Sequence, residues 1–194
     1  MKSSPPKNLV VITTLFIVSF TSSAQTPTTA MDWFKQGLQQ LEEKKYEAAV
    51  QSFTQCVKLE PRADGCYSNR AAAHRMKEAN KEAIADVNKA IELAPKKGGH
   101  YIVRASISFD LDRFDDALND YNQAIALDAT LVWAYRGRAQ TYCKKNNLEL
   151  AAADEKKVVE LGDKVNKTCT ELKRGEASRQ QLVEDFQSSQ YFKA

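Results

Sequence analysis

Between residues 30 and 161 the apolar positions fall three and four residues apart, in runs of about 12 to 14 residues. Polar or Gly/Pro-bearing breaks separate the runs at "EEKK", "EPRAD", "APKKGG", "LDRF" and "KKNN". The segment "CYSNRAAAHRMKEANKEAIADVNKAIELAP", Cys66 to Pro95, shows the pattern in miniature as two helical stretches around a short break. No alternating apolar/polar stretch competes, so the pattern predicts an all-α chain.

The pattern repeats at a step of 34 residues. Gly37, Ala71, Ala105 and Ala139 form one rung, and Ala49, Ala83, Ala117 and Ala151 a second. Cys56, Ala90, Ala124 and Val158 form a third, and Leu59, Leu93, Leu127 and Leu161 a fourth. Aromatics keep the same step at Trp33, Tyr67, Tyr101 and Tyr135. Pro61 and Pro95 recur as stops, replaced by Ala129 and Asp163 in the later copies. Small residues at fixed positions predict sites where the two helices of a hairpin approach closely. Aromatics and leucines are expected to fill the space beside them. Two glycines in "KKGGHY" predict a looser junction before the third copy.

A 34-residue helix–turn–helix unit with an aromatic, then Gly or Ala, then Ala and Pro resembles the tetratricopeptide repeat family. The resemblance covers units 30–63, 64–97, 98–131 and 132–165, without gaps. It implies a right-handed α-solenoid of four helical hairpins whose first helices line a concave groove. It also implies a protein-binding scaffold, because this fold serves many partners and no single chemistry.

The flanks differ from the repeats. Lys2 and Lys7 precede an apolar run from Leu9 to Phe20, and "TSSAQ" places small Ser22 and Ala24 before Gln25. This predicts a signal peptide over 1–24 with Gln25 as the mature first residue, then a linker over 25–29. The 12-residue run is short of the ~20 residues that span a bilayer. The expected location is secreted or periplasmic. After residue 165 the register is lost. Val165, Cys169 and Leu172 mark one apolar face, which predicts a capping helix over Lys164–Arg174 ended by Gly175. A further short helix through Leu182, Val183 and Phe186 is expected before a frayed end within the 166–194 segment.

Export makes Cys56, Cys66, Cys143 and Cys169 candidates for disulfides. Three pairings are open. Cys56 with Cys66 is the easiest to close, which would leave Cys143 with Cys169; Cys56 also fits its rung as a small buried thiol in place of alanine.

Net charge changes little. Taking the two leader lysines from the formal +3 leaves +1, which argues against a nucleic-acid surface. His74 and His100 stand alone without ligand spacing, so no metal site or cofactor is predicted. "PKKGGHY" lacks the spacing of a phosphate loop, and no Gly-x-Ser-x-Gly elbow occurs. The expected chain is not an enzyme.

What remains is a surface. By rung matching to the family, the inward-facing residues include Phe34 and Leu38, then Asn69, Ala72 and Arg75. Ile102, Val103 and Ser106 follow, then Trp133, Arg136 and Gln140. Such a surface would suit a peptide with hydrophobic side chains and one carboxylate for an arginine fork. The competing expectation buries Phe34, Ile102 and Val103 between hairpins. Family members that clamp a chaperone's C-terminal carboxylate use Lys, Asn and Arg where this chain has Phe34, Leu38, Asn69, Gly99 and Val103, so only Asn69 remains of that clamp. The alternative role is a structural part of a cell-envelope or secretion assembly.

One further coincidence is legible. Arg70, Arg104 and Arg138 share a rung, as do Asp86, Asp120 and Asp154, and the first unit has Gln36 and Ser52 instead. Charges that appear and vanish together predict pairs within each hairpin, with Gln36 meeting Ser52.

Overall fold

The computed structural model describes residues 27–165 together with 168, 169, 171, 173 and 175. Eight helices run from residue 30 to residue 160. They are α1 (Ala30–Glu42), α2 (Tyr46–Leu59), α3 (Asp64–Met76), α4 (Asn80–Leu93), α5 (Gly98–Asp110), α6 (Phe114–Leu127), α7 (Val132–Lys144) and α8 (Leu148–Glu160). Consecutive helices pair as four hairpins, stacked as an α-solenoid. The leader, Gln25, Leu172 and the segment beyond 175 lie outside the described residues.

A capping box opens the array. Asp32 N–H donates to Thr29 Oγ1 at 3.1 Å, and Thr29 N–H donates to Asp32 Oδ2 at 3.1 Å. Each hairpin then turns through a left-handed residue: Lys44, Glu78, Asp112 and Asn146 have φ of 58°, 59°, 57° and 59°. These four are also spaced by one repeat. Behind each, an N–H reaches back to the carbonyl five residues earlier, as Lys45 does to Gln40 at 2.7 Å and Asn147 to Tyr142 at 2.8 Å. This arrangement satisfies carbonyls left open at the helix end, and it holds even where the turning residue is not glycine. Between hairpins the chain leaves at Pro61 and Pro95. The Tyr101 hydroxyl donates to the Pro95 carbonyl at 3.0 Å, which fastens the aromatic rung to the loop.

The alanine rungs are the core. Ala49, Ala83, Ala117 and Ala151 are fully buried, as are Ala71, Ala105, Ala90 and Ala124. Close approach is sharp at Gly37, where a Cβ would lie 2.6 Å from the Phe53 ring, and sharper at Gly137, where it would lie closer still to the Tyr121 ring. Gly98, one of the two glycines expected to loosen their junction, does the reverse. A Cβ there would meet Leu131 Cδ1 at 2.5 Å and the Ala124 carbonyl oxygen at 3.1 Å, so the glycine lets α5 press onto its neighbours. The leucine rung is uneven, because Leu59 is exposed.

First helices touch one another along the array, whereas second helices touch only first helices. That asymmetry makes α1, α3, α5 and α7 the inner layer. The stacking face of α8 changes character: Ala152 stands where Val50 and Ile84 pack, and Glu155 where Phe53, Val87 and Tyr121 are buried. Glu155 Oε1 accepts the Cys169 N–H at 2.7 Å, so the last hairpin ends in a polar attachment instead of another apolar layer.

The cap begins later than expected. Residues 163–165 are not helical, and the described residues 169, 171, 173 and 175 are. Thr168 and Glu171 close a second capping box, Glu171 N–H to Thr168 Oγ1 at 3.2 Å and Thr168 N–H to Glu171 Oε2 at 2.9 Å. Gly175 is itself helical; glycine in a helix costs ~1 kcal/mol but does not bar it.

The expected pairs form within hairpins. Arg70, Arg104 and Arg138 each fork onto Asp86, Asp120 and Asp154 through Nε and Nη2 at 2.7 to 2.8 Å. Hydrogen bonding to its aspartate holds each guanidinium above its already high pKa. In the first hairpin the expected partner is wrong: Ser52 donates to Gln40 Oε1 at 2.7 Å. Gln36 Oε1 is buried with no partner among the described residues.

Candidate functional site

The inner layer presents the first helices to the groove, and sequence-expected residues divide there into packed and exposed. Phe34 packs edge-on against Phe53, ring centroids 5.9 Å apart, and covers Gly65, whose Cβ position lies 3.6 Å from the Phe34 ring. Leu38 packs against the same cluster around Ala49 and Phe53. Ile102 packs on the Ala105–Tyr121 cluster and Val103 on the Ala71–Val87 cluster. These four are therefore half-buried joints between hairpins. Asn69 turns onto its own helix, donating to the Gly65 carbonyl at 2.8 Å.

The two arginines are engaged. Arg75 donates to Asp110 at 2.6 and 3.2 Å, tying α3 to α5. Arg136 Nη2 donates to Asp163 Oδ2 at 2.6 Å and to the Lys164 carbonyl at 2.8 Å. The Lys164 N–H and the Arg136 guanidinium hold the Asp163 carboxyl below its ordinary pKa. A fork free to take an incoming carboxylate, expected from the sequence, is thus absent at both positions. Each guanidinium already meets a carboxylate of the chain itself.

Trp133 remains open. It is 67 % exposed, the largest exposed apolar side chain among the described residues. One face of its indole is covered by the Arg136 guanidinium, 5.3 Å from the ring centroid. Cation–π contact and the ion pair behind it hold the ring in place while leaving the rest available. Gln140 is exposed further along α7. Gly99, one helix over on the same rung as Trp133, has nothing within 4 Å of its Cβ position. Asp163 and Asp110 escaped the sequence reading as arginine partners. Asp163 occupies the Pro61/Pro95 rung, and a lone charge at a stop position was the available signal.

The cysteines resolve into two bonds. Cys56–Cys66 links α2 to α3 with Cα atoms 6.1 Å apart, and Cys143–Cys169 links α7 to the cap with Cα atoms 5.6 Å apart. His100, 5 % exposed, meets Asp64 Oδ2 through Nε2 at 2.8 Å, and Lys97 reaches the same oxygen at 2.6 Å. Burial works to raise the Asp64 pKa, but those hydrogen bonds outweigh it and hold the carboxyl low. Burial pushes His100 down despite its carboxylate partner. No group of three or more metal-ligating side chains occurs among the described residues.

Family models of the tetratricopeptide repeat match at residues 33–62, and of the TPR repeat at 105–154. These matches support the tetratricopeptide repeat family. Among solved structures, a thermophilic TPR protein of Thermus thermophilus superposes with a TM-score of 0.66 at 21% identity, over 71% of this chain and 76% of that one. MamA from Desulfovibrio magneticus gives 0.58 at 18%, covering 68% and 75%. The first TPR of Spaghetti (RPAP3), bound to the HSP90 peptide SRMEEVD, gives 0.56 at 21%, covering 61% and 94%. At these identities the likeness establishes the tetratricopeptide fold alone. No curated protein matches the chain.

Proposed function

We propose that this chain is an exported, non-catalytic interaction scaffold that binds a peptide or protein segment in the groove lined by α1, α3, α5 and α7. The observation that carries the proposal is Trp133: a large apolar ring, 67 % exposed on the inner layer and backed by Arg136. Exposed aromatic anchors with fixed orientation are the side chains that dominate binding energy at interfaces. The peptide seen on the Spaghetti TPR supports a groove of this fold as a peptide site. The chaperone-clamp residues are missing here apart from Asn69, so a different partner is proposed. Export is supported by the leader sequence and by two disulfides, which persist in oxidising compartments. No helix among the described residues is long and apolar enough to cross a membrane.

The test is selection of displayed random peptides on the exported chain, followed by titration against Trp133→Ala. Loss of about 2 kcal/mol of binding with unchanged helicity is expected. Peptides that bind the variant equally, but lose binding when the outer helices are altered, overturn the groove. An intact mass beginning at Gln25 after expression in an exporting host is expected; a mass retaining Lys2 and Lys7 overturns leader cleavage.

The alternative, a structural part of an envelope or secretion assembly, is favoured by one feature. Leu150 and Val159 on α8 are exposed at 42% and 58%, whereas Ile91 and Ile125 on the Val159 rung are half-buried against clusters that include Ile107 and Ala134 of the next hairpin. Self-association seen by light scattering at micromolar concentration, abolished by Val159→Lys, would select it over the groove.

A further inference from the structure

Resting on the groove function proposed above, we infer that Asp163 is a specificity-determining residue: by engaging Arg136 it makes the Trp133 end of the groove select an uncharged segment bearing an apolar side chain. Without Asp163, the same end would present an indole beside a free guanidinium, a pair suited to an acidic segment. With it, Arg136 Nη2 is spent on Asp163 Oδ2 at 2.6 Å and on the Lys164 carbonyl at 2.8 Å. Arg136 Nε is buried, where no incoming group can reach it. What the guanidinium still offers is one nitrogen, Nη1, on a cation already paired with a carboxylate, and a face that Trp133 covers.

The same neutralisation occurs at the groove's other inward arginine, where Arg75 is forked by Asp110 at 2.6 and 3.2 Å. Each guanidinium keeps its Nη1 donors, but neither is an unpaired cation for a partner's carboxylate. Lys164 is an exposed cation near the site, but a solvated ammonium on a long stem contributes little to a pair. Charge is thus cancelled around Trp133, while its apolar surface stays open. A partner side chain stacking on the indole buries apolar area with no compensating charge requirement, and an acidic neighbour in the partner would meet Asp163 as a like charge.

The experiment compares random dodecapeptides displayed on phage and selected separately on the wild-type exported chain and on Asp163→Asn. The wild-type pool is expected to be rich in aromatic and aliphatic residues and depleted in Asp and Glu. Its individual peptides should weaken about tenfold or more on Trp133→Ala, by the ordinary weight of such anchors. The Asp163→Asn pool should gain Asp and Glu, and its acidic peptides should bind the wild type at least about fivefold more weakly, as expected for a partly exposed charge-assisted contact. Should Asp163→Asn fail to fold by helicity and melting, Arg136→Gln replaces it, with an expected pool as poor in acidic residues as the wild type's. A wild-type pool enriched in Asp or Glu that loses this preference on Arg136→Gln overturns the inference while leaving the groove intact. So does an Asp163→Asn pool with unchanged charge preference. Absence of any Trp133-dependent peptide overturns the groove function itself, and this inference with it.

Discussion

Arg104 and Asp120 face each other across one hairpin as a two-pronged ion pair, Nε to Oδ2 and Nη2 to Oδ1, both at 2.8 Å. The remaining Arg104 nitrogen, Nη1, donates to Asn88 Oδ1 at 3.0 Å on the second helix of the preceding hairpin. Its guanidinium also lies 5.6 Å from the Tyr101 ring centroid. The same three contacts recur around Arg70 (Asp86, Thr54, Tyr67) and Arg138 (Asp154, Asn122, Tyr135). One arginine in each of the last three hairpins therefore joins its own hairpin and staples it to the one before.

A double-mutant cycle on Arg104 and Asp120 should give coupling of about 1–2 kcal/mol, read from urea unfolding. Asp120→Ala alone should cost about 2–3 kcal/mol, because it strands a partly buried guanidinium. Arg104 with Asn88 should couple by about 0.5–1 kcal/mol, the net worth of one hydrogen bond. Arg104 with Asp86 should show no coupling. Coupling to Asp86 that matched Asp120 would show the staple to be assigned to the wrong helix.

Gly37→Ala should destabilise the first hairpin by about 1–3 kcal/mol, the usual penalty for overpacking a filled site. The added methyl would sit 2.6 Å from the Phe53 ring. Gly37→Ala with Phe53→Val should recover most of that loss, since the second hairpin already combines Ala71 with Val87 in one buried cluster. A double variant no more stable than Gly37→Ala would mean the ring is not what excludes the methyl. Thermal melts decide between these outcomes.

Replacing Cys143 and Cys169 by Ser should lower stability more than replacing Cys56 and Cys66. The bonds close loops of sequence separation 26 and 10. Chain entropy alone then gives about 3.5 and about 2.7 kcal/mol. Equal losses, or a larger loss for the shorter loop, would show that native-state strain or residual unfolded structure outweighs loop length. The loss for Cys143 and Cys169 should fall mainly on the cap, seen as faster exchange of the residue 169 amide that Glu155 accepts.

Acidification should weaken the α3–α5 junction in two stages. Burial lowers the His100 pKa from 6.5, so the folded protein favours the neutral ring. A depressed histidine contributes stability that is full above pH 6.5 and lost as pH falls through its lower folded pKa. His74 is lowered for the same reason and shares the window. Asp64 is held below 3.8, so its contribution persists to lower pH and is lost only below that value. Melting temperature should therefore decline from about pH 6.5 downward, and His100→Gln should shrink that limb to what His74 contributes and also reduce the loss at stronger acid, because His100 is one of the partners that hold Asp64 low. An unchanged slope in His100→Gln would remove His100 from the account.

How far the sequence determines this protein follows from what a repeat can and cannot encode. Rungs such as Ala49, Ala83, Ala117 and Ala151, and the charged rungs led by Arg70 and Asp86, are local and periodic. Every copy states the same packing requirement, so fold, hairpin boundaries and within-hairpin ion pairs can be read by matching copies. Three further features were present but unmarked by residue type. The left-handed turn at Lys44, Glu78, Asp112 and Asn146 is imposed by closing the hairpin, and four chemically different residues accept it. Thr54, Asn88 and Asn122 show their role only once superhelical stacking brings them within reach of the next arginine. Gly98 looks like a loosening residue until α6 and Leu131 are placed against it. Departures from the repeat were least legible. Whether Phe34 or Trp133 meets solvent depends on what the neighbouring hairpin brings: Phe34 is folded down onto Gly65, whereas Trp133 has no described helix beyond it to cover the ring. Whether Arg136 is free depends on where the non-helical chain after α8 returns, and Asp163 is carried back to it across 27 residues. Sequence periodicity fixes contacts that every unit shares; only the packed array decides which exposed side chains and which charges are left over at its ends.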